Sequence, residues 1–211
     1  MLHQIRDLWR NRLKNQRSHN TFVMIGFFIL CVGIAFGIVE VVQQYHFNAT
    51  KQASIAYSDI LEQIQEKEKK ADLHQQADQL IKNYPKTIYA NMTRLLLSEI
   101  AYQEGQMEQA KGYLNDIVNN PKETPLSHIA RVRLARMLTD EKNYTEALSL
   151  LTKASSKGFE PLYETAKGDI YMAMGSIEEA NQAYKMALQS MPQGASDAWL
   201  QIKQADIGGQ G

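Results

Sequence analysis

Residues 21–39, TFVMIGFFILCVGIAFGIV, carry no charged side chain. At about 1.5 Å per helical residue this run matches the ~30 Å hydrocarbon thickness of a bilayer. Twelve of its residues are Phe, Val, Ile or Leu. Each favours insertion by roughly 0.3–0.6 kcal/mol, about 4–7 kcal/mol together, which outweighs the glycines among them. A buried helix of a soluble core fits this composition poorly, so the run is expected to be a transmembrane helix, with residues 21–43 taking in its juxtamembrane end.

The flanks set the expected orientation. Residues 1–20 hold Arg6, Arg10, Arg12, Lys14 and Arg17 against Asp7 alone, whereas Glu40 and the first lysine, Lys51, follow the apolar run. Positive charge is retained in the cytoplasm, so a type II arrangement is expected: 1–20 a basic cytoplasmic tail, 44–207 an exported domain, 208–211 a disordered GGQG tail. Two alternatives stay open. Ala35-Phe36-Gly37 is a marginal cleavage site for a signal peptide, and Leu2, Ile5, Leu8, Trp9 and Leu13 fit one face of a basic mitochondrial presequence.

The formal charge of zero conceals this basic tail, which leaves the remainder mildly acidic. A mildly acidic domain lacks the basic stripe that phosphate backbones require, so nucleic acid is not expected as a partner. The single cysteine, Cys31, lies in the apolar run, where a small buried apolar side chain is the simplest reading. It permits neither a disulfide framework nor a cysteine metal site. His3, His19, His46, His74 and His128 show no metal-ligand spacing and read as solvated or incidental. Asp140-Glu141 and Glu178-Glu179 fall at helix connections, where solvation accounts for them. Neither phosphate loop, dinucleotide fingerprint nor nucleophile elbow is present, so no cofactor, metal or enzymatic activity is expected.

Beyond residue 49 apolar and small residues recur at helical spacing, without strand-like alternation. Residues 161–192 place Gly168, Tyr171, Gly175, Ala180, Tyr184, Ala187 and Pro192 in the register of a tetratricopeptide repeat. Gly168 and Ala180 are small where two helices cross closely, Tyr171 and Tyr184 fill the space beside them, Gly175 permits a left-handed turn, and Pro192 ends the second helix. Leu134, Ala135, Leu138, Tyr144, Ala147, Leu151 and Ala154 fill equivalent slots of a second repeat, as do Leu97, Ser98, Ala101, Gly105, Ala110 and Leu114 of another. Residues 49–85 read as a degenerate helical pair in which the charged run 66–70 is a solvated turn or helix end. Ser196 is expected to cap a short helix whose Trp199 and Ile202 cover the last repeat. The fold class is therefore all-α: one transmembrane helix, then a tetratricopeptide-type helical-hairpin solenoid.

The segments QASIAYSDIL, LLLSEIAYQEGQMEQAKGYL, VRLARMLTDEKNYTEALSLL, KGDIYMAMGSIEEANQAY and LQIKQADI, in this order behind an anchor, resemble the YfgM family over about residues 50–207. That family is described as the ancillary subunit of the bacterial Sec translocon. Its usual stretch before the anchor is acidic, whereas here it is basic and ends in NQRSHN. The resemblance implies a type II protein of the bacterial inner membrane with a periplasmic domain. Its implied partners are the SecYEG translocon, a membrane-anchored prolyl-isomerase-like chaperone, exported client proteins and membrane lipid.

Two candidate contact regions follow. The first helices of the repeats build the inner surface of such solenoids, which directs Met92, Leu95, Glu99, Tyr102, Arg136, Asp169 and Met172 to a partner-binding groove. Methionine and tyrosine among isolated charges suit adaptable peptide binding, and the competing reading of Met92, Leu95 and Met172 is inter-repeat packing. In the apolar run Gly33 and Gly37 form a GxxxG pair that would let another transmembrane helix approach closely. Repeat architecture alone also accommodates a scaffold for another envelope complex, in cytochrome maturation or cell division.

Overall fold

A computed structural model describes residues 2–66, 70–120, 122–152, 158–192, 200–201 and 203. The chain divides into two units, Met1–Gln52 and Ala53–Gly211. Eight helices are present among the described residues: α1 (Leu2–Glu66), α2 (Lys70–Asn83), α3 (Ile88–Gln103), α4 (Met107–Val118), α5 (Pro125–Asp140), α6 (Tyr144–Thr152), α7 (Glu160–Met174) and α8 (Ile177–Gln189). None of the described residues forms a strand.

The first unit is the N-terminal part of α1. Phe27, Phe28, Leu30, Phe36 and Val41 are all more than half exposed there, and the helix is long and apolar enough to cross a membrane. Cys31, expected as a buried side chain, is exposed on the same helix, because no second element of the unit covers it.

In the second unit the chain pairs helices in sequence order, α3 with α4, α5 with α6 and α7 with α8, and α5 stands between α3 and α7. Before them, Ile60 of α1 joins Leu73, Ala77 and Leu80 of α2 and Leu97 of α3 in one buried cluster. Gln63 of α1 donates to Gln76 of α2 at 2.9 Å beside it. The degenerate pair expected over 49–85 is thus the end of α1 with α2. Lys67–Lys69 of its charged run lie outside the described residues.

The entries to the first helices of the pairs are encoded locally. Thr87 precedes α3, and its hydroxyl accepts from the Ala90 amide. Thr124 and Ser127 form a capping box with Pro125 in the first turn of α5. Pro161 stands in the first turn of α7, where a missing N–H costs nothing.

Pair closure depends on small residues twelve positions apart. Ser98 and Ala110, Ala135 and Ala147, and Gly168 and Ala180 are all buried where the two helices of each pair meet. In the first pair the Ser98 hydroxyl donates to the Ala110 carbonyl at 3.0 Å, an approach that larger side chains would prevent.

The three turns share a left-handed residue. Gly105 has φ 78° and Gly175 φ 78°, while the corresponding Lys142 has φ 61°. Glycine adopts this region freely, but a Cβ there contacts the following carbonyl at a cost of roughly 1–2 kcal/mol. Lys142→Gly is therefore expected to raise stability by about 1 kcal/mol, with Lys142→Ala, which keeps the Cβ, near the parent. Thermal unfolding of the full chain in detergent checks this. An unchanged midpoint for the glycine variant would show that the turn carries no strain.

Leu200, 1% exposed, packs with Ala180, Tyr184 and Ala187 and covers the last pair. Ser196, Trp199 and Ile202, expected to supply that cover, lie outside the described residues, as do Ala154 of the middle repeat and the 208–211 tail.

Candidate functional site

Helices α3, α5 and α7 carry the residues assigned to the groove, and polar side chains are joined across these helices. Tyr102 of α3 donates to Asp140 Oδ2 of α5 at 2.9 Å. Beside it Glu99 Oε2 lies 3.8 Å from Arg133 Nη1. One repeat further on, Arg136 Nη2 of α5 lies 3.8 Å from Asp169 Oδ2 of α7. The other carboxylate oxygen of Asp169 accepts from Tyr184 at 2.8 Å and from Lys203.

Acid, base and acid therefore alternate from α3 through α5 to α7. Glu99, Arg136 and Asp169 are not isolated charges, as expected from sequence, but members of this lateral series. Exposed pairs of this kind contribute about 0.2–1 kcal/mol each, so together they align adjacent repeats rather than hold the fold. The hydrogen bond to Asp140 raises the Tyr102 hydroxyl above its ordinary pKa, with the nearby carboxylate charge adding to it. Tyr184 is raised chiefly by burial and further by Asp169. Both phenols are neutral donors over the ordinary pH range.

The apolar members divide. Leu95 is 9% exposed and packs in the cluster of Leu114, Ile117 and Val132, so it belongs to inter-repeat packing and not to an open groove. Met92 is half-buried. Met172 is 37% and Tyr102 39% exposed, which leaves these two as the most accessible apolar side chains of the assigned set. They occupy equivalent positions, each four residues after the small residue of its repeat.

Sequence reasoning missed Arg133, Asp140 and Lys203. Arg133 lies one turn before Arg136, a spacing that puts both on one helix face. Asp140, expected in solvent because it stands at a connection, accepts instead from Tyr102. Neighbouring Glu141 is bound too, accepting from Lys111 at 2.7 Å. His128 is the largest departure, since it is 7% exposed rather than solvated. Its burial comes from Phe159 and Tyr163, which lie far downstream in sequence and reach it only in the folded solenoid.

Gly33 and Gly37 lie on α1 with nothing within 4 Å of an added Cβ. No group of three His, Cys, Asp or Glu among the described residues is arranged to hold a metal ion.

This architecture defines a tetratricopeptide-type helical repeat protein with an apolar N-terminal helix. Residues 17–209 match the family model described as a tetratricopeptide repeat-like domain, and the chain belongs to that family. A protein of Neisseria gonorrhoeae named ancillary SecYEG translocon subunit is 29% identical over 143 residues, 68% of either chain. A Haemophilus influenzae protein of the same name is 28% identical over 182 residues, 85% of this chain and 87% of its own. These relatives bear out the likeness to the YfgM family. The crystal structure of a thermophilic tetratricopeptide protein of Thermus thermophilus superposes with a TM-score of 0.52 at 20% identity, covering 74% of this chain and 80% of that one. At this identity the likeness concerns the fold alone.

Proposed function

We propose that this chain is a non-enzymatic adaptor of the bacterial inner membrane that associates with the Sec translocon. In this reading the N-terminus lies in the cytoplasm and the repeat domain in the periplasm, where it brings exported proteins to a membrane-anchored prolyl-isomerase-like chaperone. The observation that carries the reading is an apolar N-terminal helix joined to a repeat domain in a chain similar over most of its length to proteins that bear the translocon name.

The face of α3, α5 and α7 would serve as the contact region. Its charges are engaged with one another, so a client segment would bind through Tyr102 and Met172, whose ring and thioether adapt to varied apolar side chains. Gly33 and Gly37 would give the partner's transmembrane helix a close approach.

Photo-crosslinkers at Tyr102 and Met172, used in native membranes and read by mass spectrometry, test this function. Translocon subunits, the chaperone and exported chains are the expected products, and Gly33→Leu with Gly37→Leu should reduce the translocon yield. A stable neighbour set made of cytochrome-maturation or division proteins, with translocon subunits absent, would replace the adaptor by a scaffold of another envelope complex.

A further inference from the structure

The amino-terminal ends of α5 and α7 meet in a buried polar cluster that the adaptor role leaves unused. Tyr163 of α7 is 0% exposed and lies in the core cluster shared by α5 and α7. Its hydroxyl is 2.7 Å from Arg131 Nη1 and 2.8 Å from His128 Nδ1. The Phe159 ring stacks on the imidazole with centroids 3.9 Å apart and keeps water from one face of it. Arg131 also donates to Glu123, in the segment before α5, at 3.0 Å.

Each protonation state of His128 implies a different hydrogen-bond pattern. Arginine offers donors only, so the Tyr163 oxygen accepts from Arg131 and has one hydrogen of its own to give. With the imidazole neutral and its own hydrogen on Nε2, that hydrogen goes to His128 Nδ1 at 2.8 Å. A proton added at Nδ1 would place two donors and the hydroxyl hydrogen around one oxygen. The Tyr163 hydrogen would then lose Nδ1 as its acceptor, and a second cation would be buried beside Arg131.

We propose that His128 and Tyr163 form an acid-sensitive clasp between consecutive repeats, closed while the imidazole is neutral and opened when it gains a proton. Among the described residues, the charged and titratable groups facing the ring are Arg131 of α5, Glu123 before it and Tyr163 of α7. Burial holds the His128 pKa below its ordinary 6.5, Glu123 opposes this, and Arg131 adds to it. A folded pKa below the unfolded one gives a contribution that is complete above about 6.5 and lost as pH falls through the folded value. Opening would loosen α7 and α8 from α5 without unfolding the earlier repeats, so the last repeat would yield first in an acidified compartment.

Hydrogen exchange of the full chain in detergent, compared between pH 7.5 and 5 after correction for intrinsic rates, tests the clasp. The amino-terminal turns of α5 and α7 should exchange severalfold faster at the lower pH, in line with a folded His128 pKa held below the unfolded one. His128→Gln keeps an acceptor for Tyr163 but cannot titrate in this range, and it should abolish that acceleration. If parent and variant accelerate alike, the clasp is refuted. Should the variant fail to fold, NMR of histidine-labelled parent chain replaces it. One imidazole that stays neutral until below pH 6.5 and titrates together with the loss of protection supports the proposal, and five that titrate at or above the ordinary value overturn it.

Discussion

Gly168→Ala is expected to cost about 1–3 kcal/mol and to release the α7–α8 pair first, the range typical of an overpacked interior. A Cβ added at Gly168 would lie 2.3 Å from Cε1 and 2.5 Å from Cδ1 of the Tyr184 ring, closer than any carbon pair tolerates. That ring has no easy retreat, since it is 2% exposed and its hydroxyl is held by Asp169 at 2.8 Å. The other repeats indicate the remedy. Where the last repeat has Gly168 and Tyr184, the earlier ones have Ser98 with Leu114 and Ala135 with Leu151. A larger residue on the first helix goes with a smaller one on the second.

Tyr184→Leu alone should destabilise, through lost area and a lost donor to Asp169. Combined with Gly168→Ala it should recover part of the loss, with a coupling of about 0.5–3 kcal/mol. Urea unfolding of the four chains in detergent gives this coupling, and hydrogen exchange places the effect in α7 and α8. Strict additivity would show that the two residues do not share one packing site.

The same comparison explains what could be read in the sequence. Gly168, Gly175 and Ala180 were legible because their smallness answers to backbone geometry, which leaves few substitutes. Lys142 was not legible, because a turn can carry a strained lysine when the pairs around it hold it there. Leu95 was misplaced for another reason. Helical periodicity identifies which residues share a face, but burial of that face by α4 and α5 depends on residues outside the window. His128 is the extreme case, since its Tyr163 and Phe159 partners enter from the next repeat. The ion pairs of Glu99, Arg136 and Asp169 were hidden likewise, each partner being supplied by a neighbouring helix.

Those pairs bear on the adaptor reading. A face with free cations would select acidic peptide ends, whereas here Arg133 and Arg136 already meet Glu99 and Asp169. On the proposed adaptor reading, this face would select against strongly charged segments while Met172 and Tyr102 take apolar ones, a selectivity suited to chains that have not yet folded.

A reporter that fluoresces only in the cytoplasm, fused after residue 207, is expected to stay dark on the parent chain and to become bright when Ile34→Asp and Phe36→Asp are introduced together. The reasoning starts from the energy of the apolar run. Its twelve Phe, Val, Ile and Leu residues supply about 4–7 kcal/mol in favour of insertion. Two central aspartates oppose it by about 2.5–3.5 kcal/mol each and also remove two of the favourable side chains. The balance then falls to about zero or below, so most chains should remain uninserted with their repeat domain in the cytoplasm. Ile34→Leu with Phe36→Leu preserves hydrophobicity and should stay dark. Extraction of membranes with alkaline carbonate gives a second readout, retaining the parent and the leucine variant in the pellet and releasing the aspartate variant. A bright parent would reverse the orientation inferred from Arg6, Arg10, Arg12, Lys14 and Arg17 and remove the periplasmic assignment. An aspartate variant that stays dark and pelleted would show that the segment around Ile34 and Phe36 is not what inserts the chain.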